Sequence, residues 1–162
     1  IKFNKQIYLS SIGIYPDQDG LFTEDYKNDL NERLLVAEQR VELLNSHIYR
    51  LGGLFGKNRI FAKYFANRNC TTGDQPANFI HVDDVVALII KGFDSDFLHP
   101  IYNLVAPEHP SKKEVILASA KKYGFDLPLS FNSENSFKKI VDGSLIIKEL
   151  NYSFKYSSPV TF

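Results

Sequence analysis

The chain has 162 residues, the length of one domain, and 44% of them are hydrophobic, which is enough for a continuous core. Its 19 basic and 19 acidic residues cancel, so charge gives no case for a nucleic-acid or acidic-membrane partner. Cys70 is the single cysteine, which excludes an internal disulfide and fits a reducing cytoplasm.

Residues 6–9 predict a buried strand, and 10–20 a loop marked by Pro16, Asp17, Asp19 and Gly20. A helix is expected over 29–44, capped by Asn28 or Asp29, because Leu30, Leu34, Ala37, Val41 and Leu44 recur at spacings of three and four. Residues 47–51 predict a second strand running into a glycine turn at 52–56. A short helix is expected over 60–66 and a polar loop over 69–77. Residues 82–93 predict a helix capped by Asp83, and 101–105 a third strand closed by Pro107 and Pro110. Ser111 with Glu114 three residues on predicts a capping box for a helix that runs to Tyr123 and stops at Gly124. A short strand over 127–131 and a helix over 144–150 complete the pattern, before the aromatic tail of Tyr152, Phe154 and Tyr156. Strands alternating with helices predict an α/β class with parallel pairing. No apolar run approaches the roughly 18–20 residues of a membrane span, and the first residues lack the apolar centre of a secretory leader.

Seven pieces stand in a fixed order along most of this chain. They are Ser10-Ser11, Tyr15, Glu24-Asp25, Ala37-Glu38, the stretch from Arg50 to Gly56, the stretch from Phe79 to Asp84, and Tyr102-Asn103-Leu104. The ordered set resembles the second half of the extended short-chain dehydrogenases, the NAD-dependent epimerase/dehydratase family. The resemblance implies the C-terminal half of a Rossmann-like, mostly parallel sheet with a small substrate-side subdomain, spanning residues 1–162. It implies NAD or NADP in the intact parent and a small polar, sugar-derived substrate. It also implies a homodimer through the helix over 29–44. With no methionine anywhere, the chain is expected to be a fragment, a processed chain or the ordered part of something longer.

The resemblance also assigns residues. Ser11, four before Tyr15, stands at the family's catalytic serine or threonine, where a hydroxyl would orient a substrate oxygen; a serine capping a strand end is the competing reading. Ser10, Gly52, Gly53 and Leu54 fall on the cofactor side, where small residues let the backbone come close to the nicotinamide, and a tight turn explains the glycines equally well. Tyr15, Asn78 and His81 fall on the substrate side, with Tyr15 also readable as a packed loop aromatic. His81, Asp83 and Asp84 could suggest a metal, but an aspartate at a helix start is expected to cap free N–H groups, and no metal is assigned. Lys57, Arg59, Lys63 and Arg68 read either as an anion-facing set or as a solvated face.

The departures are as informative. The family's Gly-x-x-Gly-x-x-Gly loop, which brings a pyrophosphate to a helix N-terminus, is absent, so this chain alone is expected to bind no dinucleotide. The run around Gly53 and Gly56 fails the phosphate-loop pattern, because Gly52 precedes Gly56 by four rather than five and Asn58 replaces a serine or threonine. Counting back from Glu38, the family's Tyr and Lys positions hold Leu30 and Leu34, which exchange no proton. Tyr26 and Arg33 are the nearest polar substitutes. Ala77 stands where the family often carries a diphosphate-gripping arginine. Three readings follow: part of an NAD(P)-dependent epimerase, dehydratase or reductase; a non-catalytic ligand-binding or scaffold protein on the same fold; or a structural remnant.

Overall fold

The structure, a computed structural model, describes residues 3–161. The chain opens with β1 (Ile7–Ser11), a 3-10 turn at Ile12–Ile14, β2 (Gly20–Phe22) and α1 (Glu32–Glu42). Next come β3 (His47–Leu51), β4 (Gly53–Phe55), a 3-10 turn at Phe61–Tyr64, β5 (Asn69–Cys70), β6 (Phe79–His81) and α2 (Val82–Phe93). It closes with β7 (Ile101–Leu104), α3 (Lys112–Tyr123), β8 (Ser130–Phe131), β9 (Lys139–Val141) and α4 (Ser144–Leu150). The α/β class and the parallel pairing hold: every ladder between these strands is parallel.

The central sheet has the order β1-β3-β7. Its register sets Ser10 beside Arg50 and Arg50 beside Asn103. These three side chains therefore share one face, and α1 lies over it, with Glu38 reaching Ser10 and Arg50. The other face carries Tyr49, Tyr102 and Leu104 into the main core with Val85 and Leu88 of α2 and Ile146 and Leu150 of α4. A second core gathers Ile14, Tyr15, Phe22, Val105 and Val141, with Leu30, Leu34 and Leu35 packed against it.

Three boundaries differ from expectation. α1 begins at Glu32 with Asn31 as its cap, not at 29 with Asn28 or Asp29. Asp29 has φ 47° and the Asn31 N–H bonds to the Ile14 carbonyl, so the segment before the helix belongs to the loop that closes the second core. The cap of α2 is His81, whose Nδ1 accepts from the Asp83 N–H, and not Asp83. The expected helix over 60–66 is a single 3-10 turn. The strands β2, β4, β5 and β9 lie in segments where none was expected, β4 in the expected glycine turn; each is two or three residues long and exists through its partner. The capping box at Ser111 and Glu114 and the stop at Gly124, with φ 71°, are present as read.

Candidate functional site

Ligands of open parallel α/β sheets bind outside the carboxyl ends of the strands. Here that edge is built from Ser11 at the end of β1, Leu51 at the end of β3 with Gly52 after it, and Leu104 at the end of β7. Ser11 is in register with Leu51, and Leu51 with Leu104. Ser10, Ser11, Gly52, Gly53 and Leu54 are thus brought to one end of the sheet. The Ser11 hydroxyl accepts from the Gly13 N–H at 3.0 Å and caps the 3-10 turn. Its own proton finds no acceptor among the described residues, so the cap leaves it uncommitted.

A row of buried polar groups supports this end from below. The Arg50 guanidinium meets Glu38 at 2.7 Å, with both side chains almost fully enclosed. Ser10 donates to Glu38 at 2.6 Å. Arg50 also donates to the Tyr15 hydroxyl, which donates in turn to Asn103 Oδ1, each at 2.8 Å. Burial works to lower the Arg50 pKa, but Glu38 and Tyr15 outweigh it and hold the guanidinium protonated. Burial raises the Tyr15 pKa against the opposing pull of Arg50, so the phenol stays neutral. Ser10 and Tyr15 bracket Ser11, and both are fixed by this network. Beyond it, the buried Lys139 ammonium reaches the Tyr15 carbonyl at 2.8 Å and Asp17 at 3.0 Å.

The remaining assigned residues are placed as follows. A Cβ on Gly52 would come within 2.5 Å of the Asn78 carbonyl oxygen, and one on Gly53 within 2.4 Å of the Phe79 ring. Both glycines are therefore required by the close approach of the Asn78–Phe79 segment on the side where a Cβ would stand. Leu54 packs against the main core. Both halves of the Asn78 amide are engaged, donating to the Lys139 carbonyl and accepting from the Val141 N–H, which stitches β9 to the sheet. His81 is 5% exposed, stacked on Tyr156 at 3.7 Å and edge-on to Phe55, and burial lowers its pKa. Tyr15, Asn78 and His81 are all buried side chains. No cluster of three metal-ligating side chains occurs among the described residues.

Leu30 and Leu34 pack against the second core, so apolar contact occupies the positions the resemblance gives to a proton-exchanging pair. Tyr26 lies in the loop before α1, edge-on to Phe22, and Arg33 is exposed. Lys57 pairs with Asp83, while Arg59, Lys63 and Arg68 are exposed. Sequence reasoning passed over Glu38, Arg50, Asn103 and Lys139 as a network. The available signal was Arg50 inside an otherwise apolar strand, because a charge at a buried position requires a partner.

These features define the fold of the C-terminal part of the extended short-chain dehydrogenases, the architecture of NAD-dependent epimerases and dehydratases. The structure is similar to UDP-glucuronic acid 4-epimerase from Bacillus cereus in complex with NAD, with a TM-score of 0.78 and 18% identity over 99% of this chain and 59% of that one. It is also similar to a functionally unknown conserved protein from Silicibacter pomeroyi, with a TM-score of 0.82 and 23% identity over 98% of this chain and 64% of that one. In sequence, the chain is 31% identical to Protein YeeZ of Escherichia coli K12 across 95% of its own length. It spans 59% of the length of that curated relative. No protein-family model matches the chain.

Proposed function

We propose that this chain is the C-terminal portion of an NAD(P)-dependent epimerase/dehydratase-like or reductase-like protein acting on a small polar, sugar-derived substrate, and that it pairs with a second copy through α1. The observation that supports this reading best is Ser11, held at the carboxyl end of a parallel sheet by anchored neighbours on both sides with its hydroxyl proton uncommitted. In this reading Ser11 donates to a substrate oxygen. The backbone at Ser10 and from Leu51 to Gly53 forms one wall of the dinucleotide site, and Tyr15, Asn78 and His81 shape the substrate side from within. The chain has no pyrophosphate loop of its own, so a dinucleotide would draw its main contacts from elsewhere in the parent; bound, it would supply hydride transfer. Ser11→Ala in the full-length parent tests the assignment: turnover should fall about 100–1,000-fold, as for loss of one positioned donor. Unchanged turnover makes Ser11 a strand-end cap only. Calorimetric titration of this 162-residue chain should show no micromolar affinity for NAD or NADP.

A second reading has its own support. Leu30 and Leu34 are packed into the second core, so α1 offers no acid/base pair beside Ser11. A non-catalytic ligand-binding or scaffold protein on the same fold accounts for this directly. Dinucleotide binding by the parent without turnover of any nucleotide sugar would favour it.

A further inference from the structure

Strand β7 forms one edge of the central sheet. Its ladder to β3 uses the carbonyls of Pro100 and Leu104, which accept from Ile48 and Gly52 at 2.8 and 3.0 Å. In a parallel ladder the alternate residues then turn both backbone groups outward, and here these are Ile101 and Asn103. Glu24 takes the Asn103 N–H at 2.7 Å. The N–H and C=O of Ile101 face away from the sheet and meet no partner among the described residues.

Two cavities meet at that residue, and both include Lys27, Pro100 and Ile101. One, of about 310 Å³, lies under α1 on the Arg50 face, where Leu30, Leu35 and Ile48 line it together with Glu38, Glu42 and Arg50. The other, of about 330 Å³, lies beside α4 and is walled by Glu24, Asp142, Ser144, Leu145 and Lys148. An edge with one open residue and a chamber on each side matches the way an extended peptide adds to a sheet. Backbone bonds hold it, and successive side chains fall to opposite faces.

We propose that the open edge at Ile101 is a docking site for an extended peptide in which an aliphatic residue pairs with Ile101 and its neighbour is a lysine or arginine. The residue opposite Ile101 exchanges both backbone bonds with it and directs its side chain to the same face as Ile101, onto Leu30, Leu35 and Ile48. The next side chain enters the chamber beside α4. There Glu24, Asp25 and Asp142 outnumber Lys27 and Lys148, so a cationic group is the complementary one. A second copy of the chain is a poorer occupant, because the neighbours of its Ile101 are Pro100 and Tyr102, and neither brings a cation to that chamber.

The test is an amide-resolved NMR titration of this chain with a blocked alanine–leucine–lysine–alanine peptide. The amide signals of Ile101 and Leu145 should move saturably at peptide concentrations of about 1 mM, the range of a weak two-bond contact. Hydrogen exchange at Ile101 should slow roughly tenfold. N-methylation of the peptide's leucine, or glutamate in place of its lysine, should weaken binding about fivefold or more. Absence of shifts at Ile101, or equal binding of the N-methylated peptide, overturns the proposal. So does protection of Ile101 that grows with protein concentration when no peptide is present, since a second copy then covers the edge.

Discussion

The buried pair of Glu38 and Arg50 is the residue on which the sheet end depends most. Removing Glu38 leaves a guanidinium enclosed with one neutral partner and deprives Ser10 of its acceptor. Glu38→Ala should cost about 3–5 kcal/mol of folding stability, the range for an uncompensated buried charge, and urea denaturation reads it. His81 contributes on the acid side. Its Nδ1 accepts a backbone N–H and its ring is buried, so its folded pKa lies below that of an ordinary imidazole. The unfolded chain therefore binds the proton more readily. The contribution of His81 to stability is full above the unfolded value of about 6.5 and is lost as pH falls through the folded one. His109, also lowered by burial, acts in the same direction. His81→Asn keeps a capping acceptor without a titrating group, so its denaturation midpoint should fall less between pH 7 and pH 5 than that of the parent sequence. At this scale the sequence placed Ser10, Ser11, Gly52 and Gly53 at one sheet end. It could not show that Asn78 and His81 spend their polar atoms on backbone, because such contacts arise from residues 61 positions away or from a turn geometry that no pattern encodes.

Among the elements, long periodic ones were legible and short ones were not. α3 announces itself through the Ser111 and Glu114 box, and α2 through its apolar repeat. β2, β5 and β9 are two or three residues long and carry no period of their own; β9 forms because Asn78 and the β2 backbone hold it. The early start expected for α1 has the same cause. Leu30 fits the helical repeat, yet tertiary contact with the second core draws it into the preceding loop. One side chain takes three of the hydrogen bonds that fasten the segment after α4. Asp84, fully buried at the start of α2, accepts from the Tyr152 hydroxyl and from the N–H groups of Lys155 and Tyr156. Asp84→Ala leaves those three donors without their acceptor. It should cost about 2–4 kcal/mol and hasten proteolysis between Tyr152 and Tyr156, which limited digestion with chymotrypsin would report.

For the molecule as a whole, the α/β class and the parallel sheet were readable from alternation and ordered motifs, while the buried network joining three strands was not, since it depends on register. Val36 on α1 is 39% exposed, and Leu43 and Leu44, just past its end, are 85% and 61% exposed, more apolar surface than the sheet can cover. Sedimentation of the full-length parent should show a dimer, and a strict monomer at high micromolar concentration would exclude pairing through this helix. The all-parallel ladders carry a kinetic consequence. Parallel neighbours cannot be joined by a tight turn, so each ladder closes a long loop before it returns any stabilisation. The longest such closure brings Asp19 and Lys138, 119 residues apart, together at the start of the β2–β9 ladder. Refolding from urea should therefore be slow, on the order of milliseconds to seconds rather than microseconds. Its slowest phase should report the second core, where β2 and β9 meet, and that interval is when unpaired strand edges are most open to intermolecular capture.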